Sequence, residues 1–304
     1  MRKLRLLTAL TLALALCLCA SADKAFTPLP WEEERSPIAP DAAHIIGDYA
    51  GYHDDSIDIT TEWVERFGTP ILLTRVKIAD ASQFRTGLAA KFPSTTSTKV
   101  TALSQRVNAV LAFTGDSFIT HNDGIVYRCA NRYRIRPNAG RDTLIIDDRG
   151  DFHILTPTPT IWQRQEAEAW WEGYVREQGL TPIHVFCFGP GLVIDGEEIP
   201  STDTHIADIG REQKYRRIAV GQTGPLEYLI IATNGPEDAR GQGLTIMELA
   251  DVCYEFGCVQ AYNLDGGLSA TVVLAGQKIF PRTNPRNVAD YLWFATLDGE
   301  REGT

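Results

Sequence analysis

The 304-residue chain contains no Gly-x-Ser-x-Gly elbow, no His-Glu-x-x-His pair, no EF-hand loop and no phosphate-binding loop. Serine-elbow hydrolases, zincins, calcium sensors and nucleotide-phosphate enzymes thereby lose their sequence support. An excess of positive charge is missing too: 29 Lys and Arg face 39 Asp and Glu, for a formal net charge of -10. Generic nucleic-acid binding relies on basic stripes, so no nucleic-acid partner is expected. No segment of 20 to 50 residues repeats, which disfavours solenoids and propellers. Cysteine is sparse, six in all, and no two have the CxxC spacing of a zinc site.

The apolar run from Leu6 to Ala20 follows Met1-Arg2-Lys3-Leu4-Arg5 and precedes the small residues Ala20-Ser21-Ala22. This pattern is expected to be a signal peptide over residues 1–22, which places the product in the cell envelope or outside the cell. Membrane association is expected only through this segment if it stays uncleaved. Its loss would remove Arg2, Lys3 and Arg5 and no acid, taking the formal charge to about -13. Cys17 and Cys19 would leave with it. Cys129, Cys187, Cys253 and Cys258 remain, with three pairings open, and the last two read as small buried hydrophobes.

Residues 23–55 are Pro-rich and charged, with Pro28, Pro30, Pro37 and Pro40 around Glu32-Glu33-Glu34-Arg35, and read as an extended stalk. A catalytic domain is expected over 56–299 and a tail over 300–304. Within the domain, strands are expected at Ile57 to Trp63, Ile71 to Ile78, Ala109 to Phe113 and Ile183 to Phe188. More are expected at Ile218 to Gly221, Glu227 to Ala232, Cys258 to Leu264, Ala270 to Leu274 and Tyr291 to Ala295. Hairpins are expected through Asp147–Asp151 and Asp195-Gly196. Helices are expected at Gln83 to Lys91, at Ile161 to Gln178 with Thr160 and Gln163 as its cap, and from Thr245 and Glu248 to Phe256. The fold class is α/β (α+β), a single mixed β-sheet-rich domain with flanking helices.

Two buried strands end in a carboxylate beside glycine, at Gly115-Asp116 and at Asp265-Gly266-Gly267. A pair of carboxylates on strand ends is the minimum equipment for acid, base or nucleophilic work on an acetal or a phosphate ester. Asp-Gly is also a common hairpin turn, and most such pairs do nothing more. Between these acids lies Arg216-Arg217-Ile218-Ala219-Val220-Gly221, where one guanidinium can bind an anion through paired hydrogen bonds or simply make surface salt bridges. His184, in an apolar strand, reads as a hydrogen-bonded core residue. His121, near Asp116 and Asp123, is the histidine to watch.

Asn263-Leu264-Asp265-Gly266-Gly267-Leu268-Ser269-Ala270-Thr271 closely resembles the NLDGGGSST signature of the phosphodiester glycosidase family, whose members include the enzyme that uncovers mannose 6-phosphate by removing N-acetylglucosamine. Thr114-Gly115-Asp116-Ser117-Phe118 resembles its NGDFF element, and Arg217-Ile218-Ala219-Val220-Gly221 its RTAIG element. Asn234-Gly235 and Gly243-Leu244-Thr245 are similar to its DGR and GLT elements, and Arg286-Asn287-Val288 more loosely to its closing Arg-x-Val. Thr114, Asn234, Pro236, Leu268 and Ala270 depart from the family residues.

The resemblance implies hydrolysis between a sugar's anomeric carbon and a phosphodiester oxygen, with a phosphorylated glycan or sugar-1-phosphodiester as substrate. Asp265, Asp116 and Arg217 are the expected catalytic residues: Asp265 as base or nucleophile, Asp116 as second carboxylate or orienter, and Arg217 on the phosphate. Asn263, Gly266, Gly267, Ser269, Thr271, Gly115 and Thr114 are the expected substrate-binding residues. No cofactor is required by this reading. One rival is a phosphoesterase using a divalent cation on Asp116, Asp265 and Asn263. Another is an envelope module that binds glycan phosphates without turnover.

Overall fold

Three antiparallel sheets form around one core, because most strands alternate between a face turned inward and a face covered by a helix. The computed structural model describes residues 26–199, 212–238 and 240–298. The expected signal peptide and tail lie outside these residues. The largest sheet runs in the order Ile45–Ile46, Gly51–His53, Ile57–Arg66, Thr69–Ile78, Glu227–Thr233, Ile218–Gly224, Gln260–Asn263, Gly191–Ile194, Glu197–Glu198. A second has the order Phe152–Leu155, Thr143–Asp147, Pro182–Phe186, Gly124–Arg128, Asn131–Arg136. The third has the order Gln277–Phe280, Val272–Leu274, Leu111–Thr114, Asp290–Phe294, Phe84–Leu88.

Along the strand Ile218–Gly224 the period of two is explicit. Ile218 and Val220 join Phe113, Leu144, Phe186, Val272 and Phe294 in the central core shared by all three sheets, whereas Ala219 points to the opposite face. That face is closed by helix α3, Ile246–Glu255, through Ile246, Leu249, Ala250 and Cys253. Helix α1, Val100–Val107, covers the third sheet with Val100, Leu103 and Val107. Helix α2, Arg164–Gln178, covers the second with Trp171. Among the described residues no helix is long and apolar enough to cross a membrane.

The Thr245–Glu248 capping box forms as expected, as does the left-handed Gly179 that ends α2. Both hairpins close as expected. All four described cysteines are buried and free. His184 is a core residue. Its Nδ1 lies 3.1 Å from the Cys129 amide and 2.8 Å from Thr86 Oγ1, and its Nε2 lies 3.0 Å from the Phe84 carbonyl.

Several expectations fail for local reasons. The capping pattern at Asp80 closes only a short turn, Ala81–Gln83, and the next five residues form the strand Phe84–Leu88 instead of a helix. That strand pairs with Asp290–Phe294, and a Cβ on Gly87 would collide with Tyr291 at 2.5 Å, so tertiary packing overrides the cap. Helix α2 starts at Arg164, because Thr160 accepts the Ala139 amide and is not its cap. Trp162 is consequently 73% exposed and lies off the buried face, which Ala167 and Trp171 supply.

The expected stalk is instead a strap on the domain. Leu29 packs with α1, and Ser36 donates its amide to Val107. Arg85, fully buried, gathers the carbonyls of Pro30, Trp31, Glu33 and Ser82 at 2.6–3.3 Å. Its guanidinium lies between the rings of Trp31 and Trp293, at 5.5 and 5.6 Å. A Pro-rich segment needs no core of its own when its carbonyls are satisfied by a buried cation.

Candidate functional site

The Asp265-Gly266-Gly267 turn is fastened on both sides by backbone. Asp265 donates its amide to the Gly115 carbonyl at 3.0 Å, and Gly267 donates to the Arg216 carbonyl at 2.7 Å. Gly266 is a packing requirement: a Cβ there would stand 2.6 Å from the Arg216 carbonyl oxygen. Gly267 has φ +55, a region that favours glycine, and it opens the short turn Gly267–Ser269. The strand Gln260–Asn263 thus delivers one carboxylate to the rim. The Asp265 side chain is 14% exposed.

Arg286 is the cation at this carboxylate. Its Nη2 lies 3.0 Å from Oδ1 and 2.9 Å from Oδ2 of Asp265, and its Nε donates to Ser269 Oγ. Arg286 also donates its amide to Leu268, so the same residue clamps the turn through main chain and side chain. Burial raises the Asp265 pKa above the usual carboxylate value, and the Arg286 charge and the hydrogen bond from Ser269 pull against that rise. The Arg286 side chain remains 53% exposed, so solvent and ligand can reach the pair.

Asp116 lies beneath this turn, close enough for its charge to act on Asp265. Its side chain is sealed from solvent and paired with Arg128 at 3.0 Å, while accepting amides from Phe118 and Cys187. Arg128 in turn pairs with Asp290 at 2.5 Å. Burial would raise Asp116, but Arg128 and the Cys187 amide outweigh it and leave the group below its ordinary value. Asp290 goes the other way, held well above its ordinary value by burial against the pull of Arg128. One guanidinium between two sealed carboxylates favours a single ionised acid. Sealed in this way, Asp116 fits the expected role of orienter, from below the turn.

Gly115 serves the same floor, since a Cβ there would meet the Asp290 carboxylate at 2.6 Å. Thr114, Ser269 and Thr271, expected to hold substrate, are buried and engaged internally. Thr114 Oγ1 donates to the Ser269 carbonyl and accepts the Thr271 amide, and Thr271 Oγ1 also donates to that carbonyl. These hydroxyls shape the turn. Asn263 donates Nδ2 to the Gly189 carbonyl at 2.7 Å, while its buried Oδ1 has no partner among the described residues.

Arg217 is placed differently from the expectation. Its guanidinium donates to the Leu244 and Gln213 carbonyls at 2.9 and 2.8 Å, on the α3 side of the sheet, and burial lowers its pKa to about 10. Its backbone borders Gly266 while its guanidinium is held at those carbonyls, and the cation that meets Asp265 is Arg286. His121 engages Asp123 at 2.9 Å. Among the described residues no three His, Cys, Asp or Glu side chains converge on a metal position, and Asp116 is already committed to Arg128.

Sequence reading missed Arg128 and Asp290 because an arginine in an apolar strand and an acid at a strand start carry no motif. Arg286 did leave a signal, in the loose Arg-x-Val likeness.

The described residues form a sheet-rich α/β body in which a strand end presents a carboxylate clamped by arginine. The chain belongs to the phosphodiester glycosidase family, a family of hydrolases, which residues 104–295 match. The SPbeta prophage-derived uncharacterized protein YomE of Bacillus subtilis is 24% identical over 215 residues, covering 68% of this chain and only 30% of YomE. A hypothetical protein from Synechocystis has a similar structure, with TM-score 0.59 at 15% identity over 81% of this chain and 62% of that one. The catalytic domain of zebrafish N-acetylglucosamine-1-phosphodiester alpha-N-acetylglucosaminidase, auto-inhibited by pro-peptide, gives TM-score 0.57 at 15% identity over 79% and 83% of the two chains. At these identities the two structures speak to the fold.

Proposed function

We propose that this protein hydrolyses the glycosidic bond of a sugar-1-phosphodiester, resembling N-acetylglucosamine-1-phosphodiester, in a glycan or wall polymer outside the cytoplasm. The observation that carries this reading is the Asp265–Arg286 pair on a two-glycine turn, with the carboxylate largely buried and the guanidinium open to solvent. Cleavage at the anomeric carbon gathers positive charge there and needs a facing carboxylate, while the phosphate is a good leaving group that needs a cation more than a strong acid. Asp265 supplies the first, its negative charge set against the anomeric carbon. Arg286 supplies the second, the role first expected of Arg217, by exchanging its hold on Asp265 for the phosphate oxygens. Asp116, through Arg128 and the Gly115 carbonyl, fixes the floor on which Asp265 stands.

Turnover of a synthetic N-acetylglucosamine-1-phosphodiester in oxygen-labelled water tests this reading. The label is expected in the sugar, and Asp265→Asn is expected to lower turnover at least ~100-fold with an unchanged melting temperature. Label in the phosphate would mean cleavage of phosphorus to oxygen, and equal turnover in the variant would remove Asp265 from the chemistry.

A further inference from the structure

The fold seals Asp116 below the site and brings a different acid to the rim. Glu237, in the short turn Pro236–Asp238, accepts the Arg216 amide on Oε2 at 3.0 Å. The carbonyl of the same Arg216 receives the Gly267 amide, so one residue's main chain holds Glu237 and the turn behind Asp265 together. A Cβ on Gly235 would stand 2.5 Å from the Arg216 nitrogen and 2.7 Å from Glu237 Oε2, so glycine there makes room for the carboxylate, and Oε1 lies within ordinary contact range of Gly267, 3.6 Å from where a Cβ would be. Oε1 has no hydrogen bond among the described residues, which leaves it available to a water or a ligand beside Gly267.

We propose that Glu237 is the second catalytic carboxylate of this site, the base that takes the proton of the attacking water while Asp265 faces the anomeric carbon. The proposal rests on the sugar-1-phosphodiester reading. In the step, the water oxygen forms the new bond to the anomeric carbon as the bond from that carbon to the phosphate oxygen breaks. The electron pair leaves with the phosphomonoester, and the water proton passes to Oε1 of Glu237 and on to solvent. Fixing Oε2 on an amide while Oε1 stays open suits a group that must meet its proton in one orientation.

The test is steady-state kinetics of the full chain on a methyl diester of N-acetylglucosamine-1-phosphate. Glu237→Gln is expected to lower kcat at least ~100-fold and to leave KM little changed. Added formate is expected to restore turnover to Glu237→Ala. Wild-type kcat in Glu237→Gln overturns the assignment. Should that variant not fold, the alanine variant decides, and absence of rescue counts against Glu237. A wild-type protein that leaves the diester uncut instead overturns the underlying reading.

Discussion

At the scale of single residues, Arg286 sets the protonation of Asp265. Its charge opposes the rise that burial imposes on the carboxyl. Replacing it with Gln removes that opposition, so the Asp265 pKa moves further up and the acidic limb of kcat/KM moves to higher pH. Arg286→Gln is also expected to lower kcat/KM for phosphodiesters by about tenfold or more, because hydrogen bonds to charged groups are worth about 1.5–3 kcal/mol. A pH profile coincident with that of the wild type would separate Arg286 from the chemistry. Glycines divide into two kinds at this scale. Gly115 and Gly266 keep side chains off Asp290 and Arg216, whereas Gly267 supplies the left-handed backbone, φ +55, that the turn needs.

At the scale of elements, the sequence was legible where a signal was local. Strands with continuous apolar runs, the two hairpins, and the box from Thr245 to Glu248 were all readable because each rests on neighbours a few residues apart. Helix α1 was not: its N-cap position, Lys99, makes no side-chain cap, and Val100, Thr101 and Val107 are weak helix formers that are held by packing under the third sheet. Strand Phe84–Leu88 was hidden behind a genuine capping box for the same reason. The candidate site was half legible. Asp265 stood out, whereas its partners Arg286 and Glu237 come from loops whose approach only the fold decides. Thr245→Ala removes the bond from the Glu248 amide to the Thr245 hydroxyl while keeping the reciprocal bond from the residue 245 amide to Glu248, and is expected to cost about 1 kcal/mol, or roughly 2–4 °C in melting temperature. A thermal scan showing no change would mean that α3 is held by its apolar face alone.

For the whole molecule, acid is the condition that weakens the fold. His184 is buried neutral with a pKa lowered to about 3, chiefly by burial, against about 6.5 in an unfolded chain. Between these values the unfolded state binds the extra proton, so stability falls as pH drops from about 6.5 towards 3, by up to about 1.4 kcal/mol per pH unit. Asp147, held at about 2 in opposition to its burial by His153 and the Asp151 and Arg149 amides, adds to the loss below about 3.9. Asp290 acts in the opposite sense: its raised value gives stability below the ordinary carboxylate range that is lost as pH rises through its folded value. Denaturant titrations from pH 7 to 4 are expected to show a declining midpoint that flattens in His184→Gln, and parallel slopes in the two proteins would refute the assignment. The buried Arg85 has a consequence for where the molecule begins. It grips its covering segment by three peptide oxygens and by the Trp31 ring, so Trp31 is the side chain that Arg85 reads there and the rest of its hold is on main chain that any residue offers. Trimming the chain to the matched span of 104–295 would remove Arg85 together with the segment it holds, delete the neighbour of Asp290–Phe294, and leave the triad under the reacting carboxylate without its outer wall.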